Sequence, residues 1–297
     1  MSLAPPQAVR LDTGGLPIRF FPMQVLHFPL DLERMGERDG IYHHPEYYQT
    51  FFKRNYAAEN DFLAECLRHH GSATEKSLVE LGCGPALNSR DFAKRGYRAV
   101  ALDLEPRMLE HAQSAARREG VSLETVQGNL IDFDLAKPVS MAICMWDTIL
   151  LVVRNQDMVS HLRAVSRNLL PGGVYVIETS HPRGNMGSYT GVPFRSTVGD
   201  LDLEMTWGLP SDPYDCIEQR YTVTIRTVAR RNGEVVSHTE ETLPQRYYGI
   251  QELRALIDLS GAFSEVHYYG KTSLPLFPLS LDEECNGALT VLVKGSQ

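Results

Sequence analysis

No two cysteines of the chain form a Cys-x-x-Cys pair. The five present, at positions 66, 83, 144, 216 and 285, are scattered and odd in number. That excludes a disulfide framework, argues against a structural zinc site and suits a reducing compartment. No apolar run reaches the roughly 18 residues a membrane-spanning helix requires, and no basic-then-apolar leader opens the chain. The expected location is therefore the cytoplasm, with no membrane partner. Positive charge is also short: 29 Lys and Arg stand against 37 Asp and Glu, for a net charge of -8. No global field recruits nucleic acid, and pairs such as Arg117-Arg118 and Arg230-Arg231 read as solvated faces. His43-His44 and His69-His70 lack a metal-ligand partner pattern, so no metal is expected. Internal repeats and low-complexity tracts are absent as well.

What is present is an ordinary globular composition, 43% hydrophobic over 297 residues. It allows one large domain or a core with a sizeable insertion. The first 40 residues carry five prolines and Gly14-Gly15, with Phe20, Phe21 and Phe28 expected to pack on something. From Tyr47 to about His70, Phe51, Phe52, Tyr56, Phe62, Leu63, Cys66 and Leu67 recur at helical spacing, and Gly71 stops the pattern. From Ser77 onward strand-like and helix-like segments alternate. Strands are expected at 77–81, 98–103, 121–127, 140–145 and 174–178, the last entered through a Pro171-Gly172-Gly173 turn. Helices are expected near 88–95, after Pro106, and over about 156–169. Helical crossovers between strands imply a mainly parallel sheet covered on both faces. Residues 183–246 lack helical periodicity and carry β-rich runs at 201–207, 221–228 and 235–242. Asn232-Gly233 marks a hairpin between the last two. A helix at 250–259 and strands at 263–269 and 288–293 complete an α/β sheet of seven strands.

The most informative stretch is Ser77-Leu-Val-Glu80-Leu-Gly82-Cys-Gly84-Pro-Ala-Leu87. Gly82 and Gly84 let the backbone approach a ligand and open a helix whose N–H groups face it. A dinucleotide fingerprint wants a third glycine three residues on, and Leu87 stands there, which disfavours a nicotinamide enzyme. Asp103, closing the second strand, sits where an acid holds ribose hydroxyls. The turn therefore suits a nucleoside without a pyrophosphate. A strand–turn–helix with incidental glycines is the plain alternative, and Asp103 weakens it.

Residues 77–181 resemble the core of the class I S-adenosylmethionine-dependent methyltransferases. The resemblance is carried by Val-Glu80-Leu-Gly82-Cys-Gly84, Asp103, Gly128-Asn129-Leu130 and Leu170-Pro171-Gly172-Gly173-Val-Tyr-Val-Ile. It implies a Rossmann-like, doubly wound sheet with an N-terminal helical arm and a small antiparallel insertion. It also implies S-adenosyl-L-methionine as cofactor, with S-adenosyl-L-homocysteine as product. Gly82 and Gly84 would lie under the methionyl part, Asp103 on the ribose, and Glu80 within reach of the methionyl amine. Asn88, Leu104, Leu130 and Trp146 complete the implied cofactor set. One position departs from the family: Asn129 replaces the usual Asp that accepts from the adenine amine, and its carbonyl oxygen can still accept without charge. Arg54, placed on the helix before the first strand, would give the cofactor's carboxylate a bidentate partner. A solvated helix face explains Arg54 equally well.

In that family the acceptor enters near the ends of the fourth and fifth strands, where this chain has Trp146-Asp147 and Ser180-His181. His181 is the candidate base and Asp147 a candidate for orienting an amine. A structural role beside Pro182 is the alternative for His181, and a cap for Asp147. Tyr42, Tyr47, Tyr189 and Trp207 are the candidate substrate residues, although such aromatics also build cores. No Pro-Cys nucleophile occurs, and the Asp/Asn-Pro-Pro-Tyr/Phe signature of nucleic-acid amino methylation is missing after the fourth strand. The expected organisation is an arm with lid helices at 1–72, a cofactor core at 73–182, a substrate-lid insertion at 183–246 and the rest of the core at 247–297. The expected function is methyl transfer to N, O or C of a small metabolite. The alternative is a non-catalytic module that binds the same cofactor for regulation. The oligomeric state is open, a homodimer included.

Overall fold

Strands that are apolar on both faces need cover on both sides, and the central sheet follows that rule. A computed structural model describes residues 40–182 and 191–296. All five residues of β1 (Ser77–Leu81) and all six of β4 (Val139–Cys144) are buried. The sheet is completed by β2 (Arg98–Asp103), β3 (Glu124–Gln127) and β5 (Leu169–Ser180), then β11 (Glu265–Tyr269) and β12 (Gly287–Val293). Its order is β11-β12-β5-β4-β1-β2-β3, seven strands in all. The pairs among β1 to β5 are parallel, and β12 runs antiparallel between β5 and β11.

Helices α1 (Pro45–Phe51), α2 (Tyr56–His70), α3 (Leu87–Lys94), α4 (Pro106–Glu119), α5 (Asn155–Asn168) and α6 (Ile250–Ser260) accompany these strands. Local chemistry sets their ends. Pro106 occupies the first turn of α4, where a missing N–H costs little, and Gly120 ends it with φ of 69°. Met108, Leu109, Ala112, Ala115 and Ala116 form its buried face.

A second sheet of five strands follows β5. It contains β6 (Pro193–Val198), β7 (Leu201–Trp207), β8 (Tyr214–Asp215), β9 (Arg220–Arg231) and β10 (Glu234–Arg246), all antiparallel. Asn232 and Gly233, with φ of 52° and 84°, make the tight hairpin between β9 and β10. Met205, Val223, Ile225 and Leu243 on one face of this sheet pack with Ile41, Tyr42, Tyr47, Tyr48, Phe51 and Phe52. Residues 41–52 thus form a strap, a 3-10 turn followed by α1, that lies on the second sheet and also meets α4.

Several expectations change. The helix expected over 47–70 is two helices, broken at 52–55, where the Asn55 side chain accepts from the Ala58 N–H to cap α2. Arg54 therefore lies in the break and not on a helix. Pro171-Gly172-Gly173 is a bulge inside a longer β5, since the β4–β5 register shifts between Val139 and Met141. The third strand begins at Glu124, not 121. Strand β6 carries no apolar alternation and was not expected. Tyr189 and residues 1–39 of the arm lie outside the described residues.

Candidate active site

The sheet's order reverses between β1 and β4, and open α/β sheets bind ligands at such a switch point, beyond the carboxyl ends of the strands. A cleft lies there. The ends of β1 and β4 supply Glu80, Gly82, Cys83, Met145, Trp146 and Thr148 to its wall. Asn88 of α3 lines it too, as do Tyr48 and Phe52 of the strap and Tyr56 of α2.

Register builds the floor. Leu81 pairs with Leu102, so Asp103 emerges beside the glycine turn. Its Oδ2 accepts the Gly84 N–H at 2.7 Å, and its Oδ1 accepts the Glu105 N–H at 2.9 Å. Gly82 and Gly84 hold φ of 62° and 50°, the left-handed region where a Cβ is strained. A Cβ on Gly82 would run into the Thr148 γ-methyl, and one on Gly84 would meet the Tyr48 ring at 3.5 Å. Burial raises the Asp103 carboxyl, and the backbone N–H groups of Glu105, Gly84 and Leu104 oppose the shift. Two N–H bonds leave lone pairs for a ligand's hydroxyls.

Glu80 is 6% exposed, and its Oε2 accepts the Ser89 N–H at the start of α3 at 2.8 Å. Burial pushes its carboxyl up to about 7 against that bond. Next to the turn, Asn88 donates to Asn60 Oδ1 at 2.9 Å and also to Glu59.

The strap side carries an ion cluster that local sequence did not reveal. Arg54 Nη1 and Nη2 donate to the two oxygens of Glu178, at the end of β5, at 2.7 Å each. Its Nε lies on Glu59, and its guanidinium stacks 4.0 Å from the centre of the Trp146 ring. Burial would lower the guanidinium, but Glu178 and Glu59 outweigh it and hold it raised. Glu178 Oε2 also accepts the Trp146 N–H at 2.8 Å. That bond helps hold Trp146 and Asp147, both left-handed with φ of 58° and 57°, in an uncommon pair of conformations.

Asp147 faces the other way. Its oxygens accept the N–H and the hydroxyl of Ser180 at 2.7 and 2.6 Å, joining the ends of β4 and β5. Burial raises its carboxyl, with the Ser180 bonds opposing. Tyr221 and Tyr247 of the second-sheet side are pushed up by burial and further by the Asp147 charge, Tyr221 to about 12.

Other expected residues fall elsewhere. His181 is 7% exposed, and its Nε2 donates to the Ser280 carbonyl at 2.9 Å; like Arg54, Asp103 and Asp147, it is not itself on the cleft wall. Tyr42 and Tyr47 pack in the strap cluster, whereas the neighbouring Tyr48 reaches the cleft. Trp207 meets Phe52 edge-on at 6.0 Å, one layer behind the wall. Asn129 uses its side-chain oxygen in a turn, accepting the Ile131 N–H at 2.9 Å. Leu130 is half-buried against the core, and its carbonyl accepts from His161. Leu104 is 58% exposed beside Asp103. Glu59 and Glu178 escaped the sequence reading because nothing local marks a residue as another's distant counter-ion.

A glycine turn held by the acid of the next strand stands at the switch point of this sheet order. Residues 78–173 match a family described as a methyltransferase domain. That stretch is a methyltransferase domain. The chain is 27% identical over 138 residues to a dTDP-3-amino-3,4,6-trideoxy-alpha-D-glucopyranose N,N-dimethyltransferase of Streptomyces venezuelae, covering 46% of this chain and 56% of that protein. The chain spans about half the length of the curated relatives it matches. Among solved structures, an S-adenosylmethionine-dependent methyltransferase of Clostridium acetobutylicum superposes with a TM-score of 0.68 at 13% identity, over 86% of this chain and 100% of that one. DesVI of Streptomyces venezuelae gives 0.66 at 20% identity, over 85% and 98%. At these identities the superpositions show the fold alone. No helix among the described residues is long and apolar enough to cross a membrane, and no group of metal-ligating side chains occurs among them.

Proposed function

We propose that the chain binds S-adenosylmethionine at the β1–β4 switch point and transfers its methyl group to the amine of a small molecule. The observation that carries the reading is the Asp103 carboxylate, which accepts the Gly84 and Glu105 N–H groups and so stands against the glycine turn that lines the cleft. The donor set fits the cofactor. Asp103 would take the ribose hydroxyls, Leu104 would cover the adenine, and Glu80 would face the amino group. Arg54 would meet the carboxylate. The cofactor supplies an electrophilic methyl group on a sulfonium.

The chain's own residues supply alignment, exclusion of water and removal of a proton. Tyr48, Phe52, Tyr56 and Trp146 surround the cleft with aromatic surface. The free space between them is about 30 Å³. Around a bound nucleoside the same rings would keep water from the reacting carbon. An ammonium acceptor must lose a proton before it attacks. Asp147, buried, raised and fixed by Ser180, is the group at the acceptor end suited to hold the amine and take that proton. The named activity of the Streptomyces venezuelae relative, on an amino sugar, supports an amine over a hydroxyl.

Calorimetry with S-adenosylhomocysteine tests the donor, and the expected result is micromolar binding. No heat at high micromolar concentrations would refute it. Labelled S-adenosylmethionine offered with nucleotide-linked amino sugars and with hydroxyl-only sugars tests the acceptor. Label appearing only on hydroxyl acceptors overturns the amine.

A further inference from the structure

Arg54 enters the cleft region already over-neutralised. Two carboxylates, Glu59 and Glu178, share one guanidinium, and Glu59 is 1% exposed. A ligand carboxylate arriving at Arg54 would make three. Buried groups cannot rely on water to spread that charge, so one carboxylate must leave or be neutralised.

The geometry identifies which. Glu178 is held by both Arg54 Nη groups and by the Trp146 N–H, three bonds of 2.7–2.8 Å that also pin the end of β4. Glu59 has the Arg54 Nε and the Asn88 amide. Asn88 stands on the cleft wall and donates to Glu59 behind it. The groups facing Glu59 are Arg54 from the break before α2, Glu178 from β5, Asn88 from α3 and Tyr56 on its own helix. Of these, Arg54 is the cation that opposes the upward push of burial on Glu59.

We propose that the carboxylate of an amino-acid-bearing nucleoside replaces Glu59 on Arg54, and that Glu59 takes up one proton from solvent as it is released. The inference rests on the proposed S-adenosylmethionine reading. Glu59 is thus a stand-in anion that keeps Arg54 positioned while the cleft is open. Burial pushes the Glu59 carboxyl up to about 7 even with Arg54 opposing, so a proton is within reach at neutral pH. Loss of Arg54 can only raise it further.

Titration calorimetry with S-adenosylhomocysteine in phosphate and in Tris, whose ionisation enthalpies differ, reads the proton directly. The expected result is uptake of about half a proton per site at pH 7, rising toward one at pH 8. Glu59→Gln, whose single amide oxygen can accept from Asn88 or from Arg54 but not from both, has no carboxylate to protonate and abolishes the uptake while binding persists. 5′-Methylthioadenosine, which lacks the carboxylate, binds without uptake in the unaltered protein. Equal heats in both buffers for the unaltered protein overturn the inference, as does unchanged uptake in Glu59→Gln or equal uptake with 5′-methylthioadenosine. Absence of any S-adenosylhomocysteine binding overturns the underlying reading instead, so the two failures are distinct.

Discussion

Arg54 and Glu178 meet fork to fork across 124 residues of chain, each guanidinium Nη donating to its own carboxylate oxygen at 2.7 Å. The pair ties the break between the strap and α2 to the end of β5, and Glu178 adds the Trp146 N–H. The pair is half-buried and Arg54 keeps Glu59 when Glu178 is removed, so the loss is that of hydrogen bonds to a charged group, about 1.5–3 kcal/mol. Glu178→Ala is expected to lose that much in urea denaturation. Glu178→Gln, which still accepts the Trp146 N–H, should lose less. A change under about 1 kcal/mol for Glu178→Ala would show that the pair does not hold the strap.

Asp103 makes a sharper case for ligand binding. Its two backbone bonds shape the glycine turn, and bonds to charged groups are worth about 1.5–3 kcal/mol each. Asp103→Ala is expected to weaken S-adenosylhomocysteine binding by about 100-fold or more, with Asp103→Asn intermediate. Calorimetry on both variants checks the order.

What was legible beforehand follows from how local each feature is. The glycine turn and Asp103 could be read because one residue type in one register does the work, and Asn232-Gly233 announced its hairpin for the same reason. The break at 52–55 could not. Apolar residues continue through it at helical spacing, with no proline or glycine, and its partners Glu59 and Glu178 are assembled only by folding. His181 looked free because its partner, the Ser280 carbonyl, lies 99 residues away. Strand β6 shows only exposed and half-buried positions, so it leaves no alternation to detect.

Gly82 offers a test of the turn that needs no ligand. A side chain at its φ of 62° costs roughly 1–2 kcal/mol, and the Cβ would also strike the Thr148 γ-methyl. Gly82→Ala should therefore destabilise by more than the backbone term alone. In a Thr148→Ala background the steric part disappears, leaving about 1–2 kcal/mol. A double-mutant cycle that shows simple additivity would contradict the contact.

The two candidate proton acceptors separate in kinetics. His181 spends its Nε2 on the Ser280 carbonyl, a bond a glutamine amide can imitate. His181→Gln should leave kcat within about threefold, whereas Asp147→Asn, which keeps the Ser180 N–H bond but not the basic oxygen, should lower it about 100-fold or more. The reverse pattern in a labelled-methyl assay would return the base to His181.

Glu80 sets a pH dependence whose direction is fixed by burial. An unfolded glutamate titrates near 4.3, while burial holds Glu80 up at about 7. Between these values the folded protein binds more protons than the unfolded chain, so stability falls as pH rises from about 4 through about 7. The full span is worth roughly 4 kcal/mol. Glu80→Gln keeps an oxygen for the Ser89 N–H and carries no proton to lose. Its stability relative to the unaltered protein should therefore rise between pH 5 and pH 8. Glu59 titrates over the same range but is present in both proteins, so it cancels in the difference. Urea denaturation of both proteins at the two pH values measures it, and a flat difference would mean that Glu80 is solvated well enough to titrate like an exposed glutamate.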